Sequence, residues 1–532
     1  MNYMSRQISY FTMEIGLKPE IKTYSGGLGV LAGDTVKAAA DHDLDFTAVT
    51  LLHRNGYFRQ RIEGKEQVEE PQNWPYEEIL EDTGEKVSIK IRGRTVDVKI
   101  WRHKVKGEKG DAEVLFLDTG LESNTEEDRE LTSQLYMGGQ EKRLCQEAVL
   151  GIAGVKALWE TDKETDYYHM NEGHSALLVT EASGKKVFTT HTPVPAGHDT
   201  FPQDLVEKVL PQEKIDDLGL EGKLNMTKLA LENSTYNNAV SDRHAEVTRE
   251  MFPGYEFDAV TNGIHTDTWV SEPFKKLFDR EINRWCLDPA RLTKVAGFSD
   301  RKLWGAKKKS KKKLSELLKQ NTGQGLNPET FTVGFARRST SYKRPTLIFR
   351  DVDRLDSLAK DYGGLQLVFA GKAHPDDVEG KDLIKRVLEY AGMLENVEVY
   401  FVENYGMGEA SRMVSGVDLW LNNPERGKEA SGTSGMKAAL NGAPQLSTPD
   451  GWWLEGHVEG VTGWDIGEDY VEGEDEELID SRSIYEKMDR ILSIYHNDRK
   501  AWIEIMKNCI TLNASHFNTD RMLKEYLARA YK

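Results

Sequence analysis

Lys437 stands behind a run of hydroxyls and glycines, EASGTSG at 429–435, and opens a stretch, MKAALNG, that reads as a short helix. Ser431, Thr433 and Ser434 offer hydroxyl donors and N-cap chemistry, while Gly432 and Gly435 let backbone approach a ligand with no Cβ between them. Ala438 to Leu440 favour helix and Gly442 stops it. A helix N-terminus gathers unpaired N–H groups and the positive end of the peptide dipoles, which suits a phosphate. A lysine in that first turn is placed to form a Schiff base with a phosphorylated aldehyde held by the loop. The other reading of such a run is a capped helix with a solvent-facing lysine.

Four further stretches carry candidate chemistry. ARRSTSYKR at 336–344 puts Arg337, Arg338, Lys343 and Arg344 behind the strand-like FTVGFA. Cations at the carboxyl end of a strand make either an anion site or a solvated basic loop. His191 follows the strand-like VFTT, and Pro193 and Pro195 after it force an extended loop that cannot continue a sheet. Such a histidine is a satisfied core residue or a site residue, and Glu172 and His174 in NEGHSA are a capped helix start or a pocket lining. TYSGGLGVLAGD at 23–34 is a second glycine loop ahead of a helix, and Asn262-Gly263 is a turn.

The string from Glu429 to Gly442 resembles the pyridoxal-phosphate site of the α-glucan phosphorylases, the glycogen, starch and maltodextrin phosphorylases. Long-form members carry Gly-Asn where this chain has Ser434-Gly435, and DGWW at 450–453 is shared with the short prokaryotic branch. The motifs follow the family order from about Tyr10 to Tyr526. The resemblance implies an α/β architecture of two doubly wound Rossmann-like domains of the GT-B type, 1–265 and 266–532, with the active site in the cleft between them and the last helix crossing back to the first. It implies reversible phosphorolysis, in which inorganic phosphate removes the non-reducing terminal glucose of an α-1,4-glucan or maltodextrin as glucose 1-phosphate with retained configuration.

The roles implied are specific. Lys437 would anchor pyridoxal 5'-phosphate, with Gly432, Thr433, Ser434 and Tyr405 around it. The substrate has no amine, so the cofactor would serve through its phosphate as a proton relay. Arg338 and Lys343 would offset the repulsion between two phosphates, and Tyr342 keeps the family spacing; Arg337 stands where long-form members often carry lysine. Gly27 and Leu28 would face substrate phosphate and sugar, His191 would turn its carbonyl to the anomeric region, and Glu172 and His174 would line the same pocket. Asn262, Glu429, Ser431 and Gly432 would bind glucose hydroxyls. A homodimer in the cytoplasm, without control by N-terminal phosphorylation, is the expected setting, and the chain is shorter than long forms between His191 and Asn262. A nucleotide-sugar-dependent glucan synthase would share the architecture without needing Lys437. A non-catalytic glucan-binding relative would not need Lys437, Arg338 and Lys343 intact, and an aminotransferase would need a partner set for amino-acid carboxylates.

The elements that must position these residues are legible as patterns. Phe46–Arg54 reads as a buried strand, Val87–Val105 as a hairpin turning at Gly93, Val114–Gly120 as a strand, Val30–Ala40 as a helix and 141–158 as one amphipathic helix. Tyr168–His174 passes from strand to helix, and Val187–Thr190 is a strand. From Phe331 strands alternate with helices: FTVGFA, a helix over LIFRDVDRLDSLA, LQLVFAG, VEVYFVEN and DLWLNN, the signature of a parallel doubly wound sheet. The basic stretch from Leu303 reads as a helix with a lysine-covered outer face, and the acidic run Glu468–Asp480 as a solvated loop. Helices follow around 484–495, 502–510 and after Asn518.

With 532 residues the chain is long enough for two large domains. A net charge of -18 disfavours nucleic acid and anionic membrane as partners. Cys145, Cys286 and Cys509 are too scattered for a metal site or disulfide framework. No segment is apolar enough to span a bilayer, and the N-terminus has no secretory pattern.

Overall fold

The computed structural model describes residues 6–136, 138–220, 222–467 and 470–532. The first five residues of the N-terminal segment, and Glu468 and Asp469 of the acidic run, lie outside the described residues. The chain divides into two compact units, one of Met1–Phe58, Pro71–Thr261 and Arg521–Lys532, the other of Arg59–Glu70 and Asn262–Asp520. The division thus falls at 261/262 rather than 265/266, and residues 59–70 group with the second unit. Both units are α/β, as each half of the expected GT-B type of fold should be.

The first unit is built on a nine-stranded sheet. Its spatial order is Asp258–Ala259, Tyr236–Ala239, Lys185–Thr189, Tyr167–Asn171, Ile8–Thr12, Phe46–Leu51, Asp111–Asp118, Arg94–Lys106 and Glu81–Ile91. Neighbours pair in parallel from the first of these to Asp111–Asp118, and the last two strands add an antiparallel hairpin. The central strands are buried along their whole length, as an apolar run covered on both faces must be. Register aligns Thr12 with Asn171 and Asn171 with Thr189, so the segments leaving these strand ends start side by side.

The second unit has six parallel strands, in the order Val397–Val402, Leu365–Ala370, Phe331–Ala336, Leu419–Asn422, Gln445–Ser447 and Gly463–Asp465. The chain starts at the centre, works outward one way, and returns to lay Leu419–Asn422 on the other side of Phe331–Ala336. The loops after these two strands therefore meet at the switch point where open parallel sheets bind ligands. The hairpin Arg59–Glu63 and Glu66–Glu70 is held here by buried glutamines: Gln60 Nε2 donates to Gly371 O at 2.8 Å, and Gln67 Nε2 to Ala373 O at 2.9 Å.

Several elements differ from the sequence expectations. The single helix over 141–158 is Gln140–Ala148, a π turn at Val149–Ala153 and Gly154–Glu160. At Gly151 and Gly154 a Cβ would come within 2.6 Å of Leu178 N and 2.7 Å of Phe11 Cε1, so the sheet-facing side is pressed close. The expected helix over 347–359 is a 3-10 turn, Leu347–Phe349, and then Val352–Asp361, because Asp351 caps Arg354 N and starts the helix afresh. The basic helix Asp300–Thr322 has Lys308, Lys309 and Lys312 exposed, but Lys307 and Lys311 are buried among its leucines. Lys311 pairs with buried Asp418 at 2.7 Å, and Lys307 donates to Ser415 O. The acidic run is not all solvated loop: helix Glu476–Asn497 begins within it, and Asp480 is fully buried. The last helix, Thr519–Arg529, contributes from Arg521 onward to the first unit, where Asn238 Nδ2 donates to Tyr526 OH at 3.1 Å. No helix among the described residues is long and apolar enough to cross a membrane.

Candidate functional site

In the second unit the helix Ser434–Leu440 carries Lys437 inward. The side chain is buried, and its ammonium lies 3.9 Å from the centre of the Trp269 ring, a cation–π contact; the solvent-facing reading is thereby set aside. Asn441 fixes both partners, its Nδ2 donating to Trp269 O and to Lys437 O at 2.9 Å each while its Oδ1 accepts from Ser271 N at 2.8 Å. Thr433 is the N-cap residue but makes no side-chain cap hydrogen bond, contrary to the expected capping chemistry. Ser434 Oγ instead accepts from Trp420 Nε1 at 3.1 Å and from Arg337 Nη1 at 3.4 Å. Gly432 takes φ +76°, open to glycine, and at Gly435 a Cβ would fall 1.5 Å from Gln445 Oε1. Ser431 Oγ is buried with no hydrogen-bond partner in the structure, a donor aimed at something the protein does not supply.

Beside this helix sits a compact charge cluster. Glu429 Oε2 accepts from Arg337 and from Lys343, all three side chains nearly buried. Burial alone would raise the Glu429 pKa, but the two cations hold it down to about 2, so the carboxylate stays ionised at neutral pH. Arg337 also donates to Asn422 Oδ1. Lys343 Nζ lies 4.4 Å from the Tyr342 ring, and Tyr342 has its pKa lowered: burial, the largest influence, raises it but is outweighed by Lys343 together with Arg338 and Arg337. Asp450 accepts from Glu429 N at 2.8 Å and Gly451 N at 2.9 Å, and burial pushes its pKa up to about 6. Arg338, in the same loop, is exposed, and Arg337 donates to Glu429. Tyr405 is half-buried against the core of this unit, next to Asn404, whose N–H donates to Gln60 Oε1 at 3.0 Å. Asn262 is buried at the first residue of the unit's main segment.

The first unit brings another set together at the carboxyl ends of its strands. Glu172, with φ +74°, turns its carboxylate back so that Oε2 accepts from His191 N at 2.7 Å and Thr192 Oγ1 at 2.9 Å, while Oε1 accepts from Gly173 N at 3.1 Å. His191 Nε2 lies 2.6 Å from Asn171 Oδ1, which assigns the ring proton to that nitrogen. Burial pushes the His191 pKa down to about 3, and that of His174 likewise. His174 Nε2 is 3.6 Å from Asp199, which Arg143 grips at 3.0 Å. In the glycine loop, Glu14 Oε2 accepts from Ser25 N and, at 3.1 Å, from Gly26 N. Gly27 is exposed at the first position of helix Gly27–Asp41, where an amide has no intrahelical partner, and Leu28 is half-buried beside it.

Sequence reasoning overlooked Trp269, Asn441, Asp450, Asn171 and Glu14. The signal for Asp450 was its place before GWW, an acid leading into an aromatic run, and for Asn171 its place before Glu172. Nothing local marks Trp269 as a partner of Asn441 and Lys437, since its contact with Asn441 spans 172 residues. The described residues include no group of three His, Cys, Asp or Glu placed to hold a metal ion. The three cysteines are unpaired by disulfide, and burial pushes Cys145 and Cys509 up to about 12.

A GT-B pair of doubly wound units, one with a buried lysine and an anion-ready cation cluster at its switch point, defines a class. Comparison with known proteins gives the family. Residues 213–460 match the carbohydrate phosphorylase family model. Maltodextrin phosphorylase of Thermococcus litoralis is 38% identical over 98% of this chain and 70% of its own length. Glycogen phosphorylase of Aquifex aeolicus is 33% identical over 99% of this chain and 86% of its own length. An uncharacterized protein of Methanocaldococcus jannaschii is 31% identical, with 98% of this chain and 99% of that protein covered. The chain belongs to the carbohydrate phosphorylase family.

Proposed function

We infer that the protein catalyses reversible phosphorolysis of α-1,4-glucans from the non-reducing end, releasing glucose 1-phosphate with retained configuration. The observation that carries this reading is buried Lys437, set on a short helix behind the Ser431–Ser434 loop and flanked by Glu429 with its two cations. The relatives named maltodextrin and glycogen phosphorylase support the same substrate class.

The residues fit pyridoxal 5'-phosphate. Lys437 offers the amine, Gly432 an open backbone, Ser431 a hydroxyl without a protein partner, and Arg337, bonded to Ser434 Oγ, a cation for the phosphate group. When bound, the cofactor supplies through its phosphate an acid–base group that titrates near neutrality. Tyr405 and Thr433 would complete its surroundings.

In the reaction the C1–O4 bond of the terminal glucose breaks, a phosphate oxygen takes C1, and a proton passes to the departing O4. Lys343 and Arg338 would neutralise the arriving phosphate, and the Gly27 amide would add a donor. Ionised Glu429 accepts glucose hydroxyls, as would Asn262 and the Ser431–Gly432 segment. The carbonyl of His191 faces the sugar as positive charge develops at C1, and its ring, held neutral, adds no opposing charge. Glu172 fixes the His191 backbone, Leu28 packs on the sugar, and Tyr342 steadies Lys343. A homodimer in the cytoplasm is the setting we propose.

The test is glucose 1-phosphate release from maltodextrin plus phosphate by protein loaded with pyridoxal phosphate, with the visible absorbance recorded before and after borohydride reduction. Activity that survives loss of the visible band supports catalysis through the cofactor's phosphate with Lys437 as anchor. Lys437→Ala should lose both band and turnover, the latter by about a thousandfold. No band and no release would sink the reading and favour the glucan synthase or the binding protein.

A further inference from the structure

The loop that carries Lys343 and the loop that carries Glu429 are not held by the active-site residues alone. Arg344, directly after Lys343, is buried with φ +50°, a left-handed conformation that a non-glycine residue keeps only when its surroundings enforce it. Its Nε donates to Asn423 O and its Nη2 to Pro424 O, both at 2.9 Å, at the start of the Glu429 loop. The tie is reciprocal: Asn423 Nδ2 donates to Arg344 O at 2.8 Å, and Glu425 N donates to Tyr342 O at 2.8 Å.

Both loops then converge on one carboxylate. Asp480, fully buried one turn into helix Glu476–Asn497, accepts from Arg344 Nη2 at 2.6 Å through Oδ2. It also accepts from Arg426 on the Glu429 loop, through Oδ2 at 3.0 Å and Oδ1 at 2.8 Å. Glu476 adds a bond from Arg426 Nη1 at 2.9 Å and lies 3.5 Å from Arg344 Nη1. Two arginines and two carboxylates thus cancel in charge. A forked, multiply bonded group of this kind specifies orientation as well as attraction.

We propose that Asp480 is a positioning residue for phosphate: by gripping Arg344 and Arg426 together it sets the separation of Lys343 from Glu429, and so the reach of Lys343 toward the phosphate substrate. This rests on the phosphorolysis reading. Helix Glu476–Asn497 is then a brace for the anion site rather than a surface helix.

Asp480→Asn keeps the shape and one acceptor while removing the charge, and it is assayed as the cofactor-loaded full chain, well below its melting temperature. The expected result is a phosphate KM raised about tenfold with maltodextrin KM within about twofold of the parent, since a small misplacement of a cation acts on the group it binds. Lys343, mapped by peptide mass after brief acetic anhydride treatment, should label about tenfold faster, as an amine released from a buried pair. A D480N protein that melts lower yet keeps the parental phosphate KM and Lys343 labelling rate overturns the proposal and leaves Asp480 a stability residue. Should D480N not fold, Arg426→Lys, which keeps the charge but loses the fork, is read on the same two scales. If the parent shows no phosphorolysis, the activity reading fails, and the labelling comparison alone judges the clamp: equal rates overturn it.

Discussion

The two units hold polar residues at their strand ends by opposite electrostatic means. In the second unit the site is made of full charges: Glu429 is kept ionised by Arg337 and Lys343, and the arginines behind them rest on Asp480. In the first unit the imidazoles are kept uncharged by burial, His191 bonded to the Asn171 amide, while the Glu172 carboxylate meets only backbone and hydroxyl donors and Asp199 is paired with Arg143. On the phosphorolysis reading, cations gathered and balanced beforehand would suit an arriving phosphate.

The sharpest way to separate the two regions is acid. Seven described histidines of the first unit have lowered pKa values, burial being the first cause in each: His103, His198, His53 and His244, the last two at about 4, and His169, His174 and His191 at about 3. A depressed pKa means that the unfolded chain binds the proton first, so this stability is present above about pH 6.5 and drains as pH falls toward 4 and 3. Each histidine contributes a slope of up to about 1.4 kcal/mol per pH unit over that window. Glu429 obeys the same sign in a lower window, its contribution lost only as pH falls from the ordinary glutamate range toward about 2. The first unit should therefore lose hydrogen-exchange protection at a higher pH than the second. Simultaneous loss, or loss in the second unit first, breaks the comparison.

Next in size is Glu429→Gln, which leaves Arg337 and Lys343 buried against each other. Removing one member of such a group destabilises by about 3–5 kcal/mol, and a melting temperature unchanged in E429Q would mean that the cluster is open to water. His191→Gln in the first unit removes one neutral hydrogen bond and should lower stability by about 1 kcal/mol, measured by urea unfolding. A loss as large as that of E429Q would show that the imidazole carries charge after all. The smallest contrast lies within one helix, Gly27–Asp41. A Cβ at Gly33 would meet Gly16 O at 1.9 Å, whereas one at Gly27 meets nothing within 4 Å. Gly33→Ala should destabilise by about 1–3 kcal/mol, and Gly27→Ala should stay within about 0.5 kcal/mol, both read from thermal melts.

How much of this was legible depends on the range of the interactions. The strands at Phe331–Ala336, Leu365–Ala370, Val397–Val402 and Leu419–Asn422 announce themselves, because each is an apolar run long enough to stand out from its flanks. Gln445–Ser447 and Gly463–Asp465 escape, being three residues each and half polar or glycine. Periodicity placed Leu303, Leu314 and Leu317 on one face of the basic helix but could not place Lys311 there, because what makes it tolerable is Asp418, 107 residues on. The site was legible where it is local, at the loop leading to Lys437 and at the cations after Ala336. The bond from Arg337 to Glu429 was not legible, because it spans 92 residues and is made by side-chain direction at a strand end. Asp480 looked like solvent-facing acid because its arginines lie at 344 and 426.

The hairpin of residues 59–70 gives the molecule a history as well as a shape. On the ribosome these residues emerge early, yet Gly371 and Ala373, the carbonyls their glutamines bind, are made some 300 residues later. At roughly 5–20 residues per second the hairpin waits for at least about fifteen seconds without its partners. The first unit waits longer still, for Tyr526 and Tyr531 to reach Asn238 and His169. Neither half can be finished as a separate piece of synthesis, so cutting the gene between the two halves should yield two incomplete proteins, and a nascent chain halted before residue 371 should expose Gln60 and Gln67 to any protease or chaperone that meets it.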